Sequence, residues 1–294
     1  MNVDASFIEK DYYATKVVQA IAKCSHSKIE PVFCGGTSLS KGYGILNRFS
    51  EDVDFRAQFN VGTTPTKSIR RSFRREICSL IESVEGITPD MEQMETGGDY
   101  FKIPLMYPQF ADVSSALRPH LKLDFSYTQP RLKPQSLPIS SFLTEFSNNQ
   151  PDTRILCLAP LETAADKFSA LVWRVNKTSR SDEHYGPAMI RHLHDLYFLR
   201  NYVFSQCKDF REMVHASFEA DNKRFNRFLG MALREAIEQM LGTLSKDGSY
   251  EAEYEHYVLS MSYARSQELA RFDAAIDCLK KLSRIFQIDT DKTE

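Results

Sequence analysis

Three aspartates and a glycine pair are the residues of this chain whose types and spacing suit chemistry. Asp52 and Asp54 stand at i and i+2 in DVDFR, a segment that alternates polar and apolar residues. On a strand that spacing puts both carboxylates on one face, ~7 Å apart. Such a span suits a divalent cation, Mg2+ or Mn2+, which takes oxygen ligands and bridges to phosphates. Asp124 lies in LKLDFSY, where Leu121, Leu123 and Phe125 alternate with Lys122, Asp124 and Ser126, so it points away from the apolar face and can supply a third carboxylate. Upstream, Gly35-Gly36-Thr37-Ser38 follows the apolar run KIEPVFC. Glycines let the backbone approach a ligand closely, and amides opening a helix can hold phosphate oxygens. Singly, each feature is an ordinary turn or a solvated strand face; in this order they describe a phosphoryl-transfer site.

Polar and cationic groups stand near these residues in sequence. Ser38 offers a hydroxyl for a terminal phosphate, Lys41 follows the glycine turn within the first helical turns, and Arg48 precedes Asp52. Ser50, two residues ahead of Asp52, is a position where a phosphate would set negative charge beside the carboxylates. Farther on, Lys167, Leu171 and Arg174 fall at i, i+4 and i+7, which puts two cations on one helix face able to neutralise a triphosphate; surface charges have the same look. Arg191, His194 and Asp195 at i, i+3 and i+4 read equally as an ion pair or as part of a site.

The elements that must position these groups follow from periodicity. A helix is expected over residues 6–24, a strand over 28–34, a strand at 52–56, a helix over 67–84, and strands at 100–106 and 121–127. The 67–84 helix carries Lys67, Arg70, Arg71, Arg74 and Arg75 opposite an apolar stripe of Ile69, Phe73, Ile77, Leu80 and Ile81. Between 128 and 160 the prolines at 130, 134, 138, 151 and 160 predict an irregular connection, with a domain boundary near residue 150. Beyond it the patterns are helical, over 161–176, 187–204, 208–219, 223–243, 251–259 and 265–286. The fold class is therefore α+β over residues 1–150, followed by an all-α region over 151–294.

Composition sets the outer limits. The 294 residues are 42% hydrophobic and 26% charged, with 20 Phe and 13 Tyr, an ordered composition with room for two cores. A net charge of -2 gives no global attraction to polyanions, so nucleic-acid binding would need a local basic face. The six cysteines are scattered without a CxxC pair, which argues against a zinc site or a disulfide framework. The opening residues lack the basic start and apolar run of a signal peptide, and no window nears the ~18 apolar residues of a membrane span. A cytoplasmic protein is expected.

The segment FCGGTSLSKGYGILNRFSEDVDF resembles the first motif of the AbiEii/AbiGii nucleotidyltransferase toxins, a group that includes the MenT toxins and belongs to the polymerase beta-like nucleotidyltransferase superfamily. LKLDFSY, ADKFSALVWR at 165–174 and RHLHDLYFL at 191–199 agree with it, so the likeness runs from about residue 5 to 200. The resemblance implies a polymerase beta-like domain with a helical bundle behind it, and Asp52, Asp54 and Asp124 holding Mg2+. It further implies that Lys167 binds nucleotide, that Asp195 belongs to the active-site set, and that Gly35, Gly36, Thr37, Ser38, Lys41 and Arg174 cradle the triphosphate. The reaction implied is transfer of a nucleoside monophosphate to RNA, in particular the 3′ end of tRNA, blocking translation, in a bacterial toxin–antitoxin or phage-defence system with a cognate antitoxin. Lys67 to Arg75 would then meet RNA phosphates. Two rival readings remain at this point: a small-molecule acceptor, as in aminoglycoside nucleotidyltransferases, and a catalytically silent protein that binds a nucleotide or partner.

Overall fold

The computed structural model describes residues 4–112, 117–177, 180–181, 185–225, 230–263 and 269–287. They form two compact units, Met1–Ala159 and Pro160–Glu294.

In the first unit α1 (Ala5–Ile21) begins where the Asp4 carboxylate accepts the Ser6 N–H, filling one of the orphan donors of a helix start. Then come β1 (Ile29–Cys34), α2 (Gly35–Lys41), β2 (Asp52–Phe59) and α3 (Lys67–Glu82), the last capped by the Thr66 hydroxyl accepting from Ile69 N–H. The short strands β3 (Thr88–Pro89) and β4 (Glu95–Thr96) precede β5 (Tyr100–Met106), β6 (Leu121–Ser126), β7 (Gln135–Ile139), α4 (Phe142–Phe146) and β8 (Thr153–Cys157). One mixed sheet results, in the order β3-β5-β6-β2-β1-β8-β7 with β4 paired to β5. β2 runs parallel to β6 and antiparallel to β1, and β8 runs parallel to β1.

One face of this sheet carries the core. Phe33, Val53, Phe55, Phe101, Ile103, Leu123 and Phe125 pack with Val17, Val18 and Ile21 of α1 and Phe73, Ile77 and Ile81 of α3. Three rings stack across adjacent strands, Phe55 on Phe125 at 4.9 Å and Phe125 on Phe101 at 4.8 Å between centroids. Each buried ring is worth about 1.5–3 kcal/mol. Because a one-residue slip would turn the rings to the opposite face, their burial fixes the register of β2, β6 and β5.

The stretch from 128 to 160 is not the irregular connection its prolines predict. β7 tolerates Pro138 because it is the outer strand of the sheet, where a missing N–H costs no ladder bond. β8 pairs with β1 through Phe33 and Cys157, so the first unit extends to Ala159, past the expected boundary near 150.

The second unit is helical: α5 (Pro160–Lys177), α6 (Arg191–Ser205), α7 (Cys207–Phe225), α8 (Leu233–Lys246), α9 (Ser249–Tyr257) and α10 (Phe272–Ser283). Pro160 stands in the first turn of α5, where no N–H is needed. Phe168 anchors this core, stacked on Phe286 at 5.2 Å and edge-on to Phe210 at 5.6 Å. The single helix expected over 223–243 is instead the end of α7 and most of α8, with Gly230 in a turn at φ +81 between them. Residues 226–229 of that expected helix, and 265–268 of the one expected over 265–286, lie outside the described residues. Among the described residues no helix is long and apolar enough to cross a membrane.

Candidate active site

The parallel pairing of β2 with β6 sets Asp54 directly opposite Asp124 and Asp52 opposite Lys122. Paired residues in a parallel ladder point to the same face. Asp52, Asp54, Asp124 and Lys122 therefore share the face opposite the phenylalanine stack. β5 adds Lys102 opposite Asp124, and β1 adds Cys34 opposite Asp54.

Cations hold two of these carboxylates. Arg118 Nη1 lies 3.1 Å from Asp52 Oδ1, and Lys122 Nζ lies 3.0 Å from Asp124 Oδ2. Burial pushes the Asp124 carboxyl above the usual carboxylate pKa, and the Lys122 charge only partly offsets it. Burial pulls Lys122 down, but the charge and hydrogen bond of Asp124, together with the charges of Asp52 and Asp54, hold it above the ordinary lysine value. The backbone gathers the three aspartates, but the side chains do not yet meet. Among the described residues no three His, Cys, Asp or Glu side chains stand close enough together to hold an ion. The donors nonetheless fit a hard divalent cation, since all are carboxylate oxygens, and Asp124 Oδ1 is buried with no hydrogen-bond partner. Such an orphaned acceptor is what a ligand atom awaiting a cation looks like.

The glycine turn is shaped around this face. Gly35 has φ +75, and a Cβ there would sit 2.3 Å from Asp54 Oδ2, so only glycine lets the backbone lie against that carboxylate. A Cβ on Gly36 would come within 2.9 Å of Ser50 Oγ and 3.1 Å of Arg48 Nη2. Thr37 Oγ1 donates to the carbonyl of Asp52, tying the first turn of α2 to the start of β2. Two residues expected to touch phosphate have their side chains inside the protein, and the Ser38 hydroxyl has no hydrogen-bond partner there. Ser38 is 1% exposed and lies against the Cys157 thiol. Lys41 is buried, its Nζ 2.5 Å from Asp11 Oδ1 and 2.9 Å from the Ser140 carbonyl, so its charge is already compensated inside the protein.

In the second unit Lys167 Nζ sits 2.7 Å from Asp195 Oδ2, and His194 Nδ1 sits 3.2 Å from Asp195 Oδ1. Asp195 is fully buried and Lys167 nearly so, which joins the third and fourth sequence blocks in one charged cluster. Arg191 donates to the Tyr257 carbonyl and to Met261 Sδ. Arg174 lies over the Trp173 ring at 5.6 Å.

The basic helix α3 also divides its cations. Arg70 is occupied, donating to the Gly98 carbonyl with its guanidinium over the Tyr127 ring at 5.2 Å. Lys67, Arg71 and Arg75 are exposed and, with Ser68 and Ser72, line a shallow depression, while Arg74 is half-buried.

Sequence reasoning missed Arg118, Lys122 and Lys102 as members of the aspartate face. Lys122 was legible, since it precedes Asp124 by two in an alternating strand. Arg118 lies outside any periodic segment, and only the fold brings it to Asp52.

A family model described as "Nucleotidyl transferase AbiEii toxin, Type IV TA system" matches residues 17–278. Among solved structures, MenT4, a nucleotidyltransferase toxin from Mycobacterium tuberculosis, shares the fold with a TM-score of 0.62 at 17% identity, over 97% of this chain and 87% of that one. A candidate nucleotidyltransferase from H. pylori aligns over 95% of this chain and 94% of its own at 17% identity, with a TM-score of 0.44. A search of curated proteins finds no match.

Proposed function

Since the chain belongs to the AbiEii family of nucleotidyl transferase toxins, we propose that it transfers a nucleoside monophosphate from a nucleoside triphosphate to an RNA acceptor, the 3′ end of tRNA, in the cytoplasm. The observation that carries this reading is the rung shared by Asp54 and Asp124, with Gly35 packed against Asp54. Asp52, Asp54 and Asp124 would hold Mg2+ or Mn2+, which when bound offsets charge on the triphosphate and on the attacking oxygen.

The acceptor hydroxyl oxygen attacks the α-phosphorus, a new P–O bond forms, and the bond to the β-phosphate oxygen breaks, releasing pyrophosphate. Asp124, on the rung of Asp54, would help ligate the cation or draw off the hydroxyl proton. The amides around Gly35, Gly36 and Thr37 would cradle phosphate oxygens at close range. Lys167, paired with Asp195, would be the nucleotide-binding lysine that the family resemblance implies. Lys67, Arg71 and Arg75 would track acceptor phosphates. Addition of nucleotides to a tRNA 3′ end would block aminoacylation and halt translation, an outcome a cognate antitoxin would have to prevent.

The test is incubation of the purified chain with Mg2+, each labelled triphosphate in turn, and total tRNA. A labelled tRNA band that disappears in Asp52→Ala supports the reading. Label passing only to small hydroxylated acceptors would replace RNA with a small-molecule substrate. Expression toxicity that survives Asp52→Ala, with no label transferred, would favour a protein that acts by binding.

A further inference from the structure

A buried ion pair that the proposed reaction does not use lies beside the aspartate face. Lys10 Nζ is 2.9 Å from Glu51 Oε2, with the two side chains 0% and 4% exposed. Taking two charges out of water is costly, and a pair so deeply buried needs a further reason to be there. Its surroundings supply one, because both members grip the backbone of Arg118. Lys10 Nζ donates to the Arg118 carbonyl at 2.7 Å, and Arg118 N–H donates to Glu51 Oε2 at 2.9 Å. The guanidinium of the same residue is 40% exposed and rests between Asp52 Oδ1 at 3.1 Å and Glu51 Oε1 at 3.6 Å. Arg118 is thus an arm with a clamped shoulder and a hand at the edge of solvent.

We propose that Arg118 is a triphosphate-binding residue, that its guanidinium exchanges Asp52 for a phosphate oxygen, and that the Lys10–Glu51 pair is the post that holds it within reach of the site. This rests on the nucleotidyltransferase reading of the Asp52, Asp54 and Asp124 face. Arg118 and a divalent cation on Asp52 repel one another, so each weakens the other's hold on that carboxylate. A guanidinium released there, its backbone still pinned, is surrounded by Glu51 and the other aspartates and gains most by forking onto a phosphate brought in with the cation. On Asp52 the guanidinium keeps that carboxylate from standing as an uncompensated charge. Lys122 on Asp124 stands in a similar posture, its backbone held in the sheet between β2 and β5.

The proposal makes two opposite demands on one variant. In the full-length chain, Arg118→Gln should bind Mn2+ alone roughly three- to tenfold more tightly, since a competing cation is gone. The same variant should bind the α,β-methylene nucleoside triphosphates, in saturating Mg2+, roughly tenfold or more weakly, since a charge-assisted contact is lost. Arg118→Lys should fall between on both. Mn2+ uptake is read by electron paramagnetic resonance and triphosphate binding by calorimetry, neither of which depends on turnover. Tighter Mn2+ with unchanged triphosphate binding would overturn the phosphate role and leave Arg118 a counter-ion. Unchanged values for both would overturn the whole proposal. If the wild type takes up no Mn2+, and Asp52→Ala matches it, the nucleotidyltransferase reading itself fails and takes the proposal with it. Wild-type uptake that Asp52→Ala abolishes keeps that reading intact while Arg118 is judged.

Discussion

Asp54 and Asp124 occupy the same rung of the parallel β2–β6 pair. If they form a cation site together with Asp52, removing one carboxylate disables the chemistry and leaves the sheet alone. Asp52→Ala and Asp54→Ala should each cut nucleotide transfer by ~10³-fold or more. Asp52→Ala should change stability by less than about 1 kcal/mol, because its partner Arg118 is half-exposed. Labelled-nucleotide transfer and thermal melting check the two halves.

Gly35 is the site's tightest steric point. Gly35→Ala sets a side chain at φ +75 and a Cβ 2.3 Å from Asp54 Oδ2. The backbone strain costs about 1–2 kcal/mol. Displacement of the Asp54 carboxylate should lower transfer by far more than that loss of stability would suggest. Denaturant unfolding beside a turnover assay separates the effects.

The Lys10–Glu51 pair gives a pH signature. Burial alone would raise the Glu51 carboxyl, but the Lys10 charge, with help from Arg118, holds it below the usual range. A carboxyl lowered in the folded state adds stability above its unfolded pKa and gives it up as pH falls through the folded one. Glu51→Gln should therefore cost about 3 kcal/mol at pH 7, where it strands a buried ammonium. The gap from wild type should shrink on acidification below the ordinary carboxylate range. Urea unfolding across pH measures it.

The buried pair of Lys167 and Asp195 in the second unit should behave as a unit. Lys167→Met leaves Asp195 without its ammonium and should destabilise by about 3–5 kcal/mol. Adding Asp195→Asn should recover much of that stability, yet restore no transfer if Lys167 binds triphosphate. Recovery of activity in the double variant would assign Lys167 a purely structural part.

On α3, the triple change Lys67→Glu, Arg71→Glu and Arg75→Glu should weaken RNA binding and flatten its salt dependence while sparing triphosphate binding. Arg70→Glu belongs to a different class, since it breaks the contacts with Gly98 and Tyr127 and should lower the melting temperature first. Filter binding at several salt concentrations tests the triple variant.

The aspartate face and the α+β order were legible because both rest on short-range patterns. Period two in DVDFR and LKLDFSY names the strands and the side on which the carboxylates lie; the parallel pairing that puts Asp54 on the rung of Asp124 is a long-range fact. Lys41 and Ser38 look available in sequence for the same reason that their burial is invisible there: Asp11 and Cys157 come from distant segments. β7 was hidden by Pro138, whose cost vanishes at a sheet edge, and β8 by the prolines that flank it at 151 and 160. Arg118 had no local signal, since its partners Lys10 and Glu51 lie 108 and 67 residues away.

The tie between Lys41 and Asp11 bears on how this protein could be shortened. Asp11 also accepts the Phe142 N–H at 2.8 Å, so one carboxylate of α1 fastens α2 to α4. A fragment starting at Val17 would keep every aspartate and both glycines of the site. It would nonetheless lack Lys10 and Asp11, the ammonium that pairs with Glu51 and the carboxylate that pairs with Lys41. Lys10 and Asp11 are thus inner framework, and trimming them would be felt at Lys41 and Glu51 and, through Arg118, at Asp52.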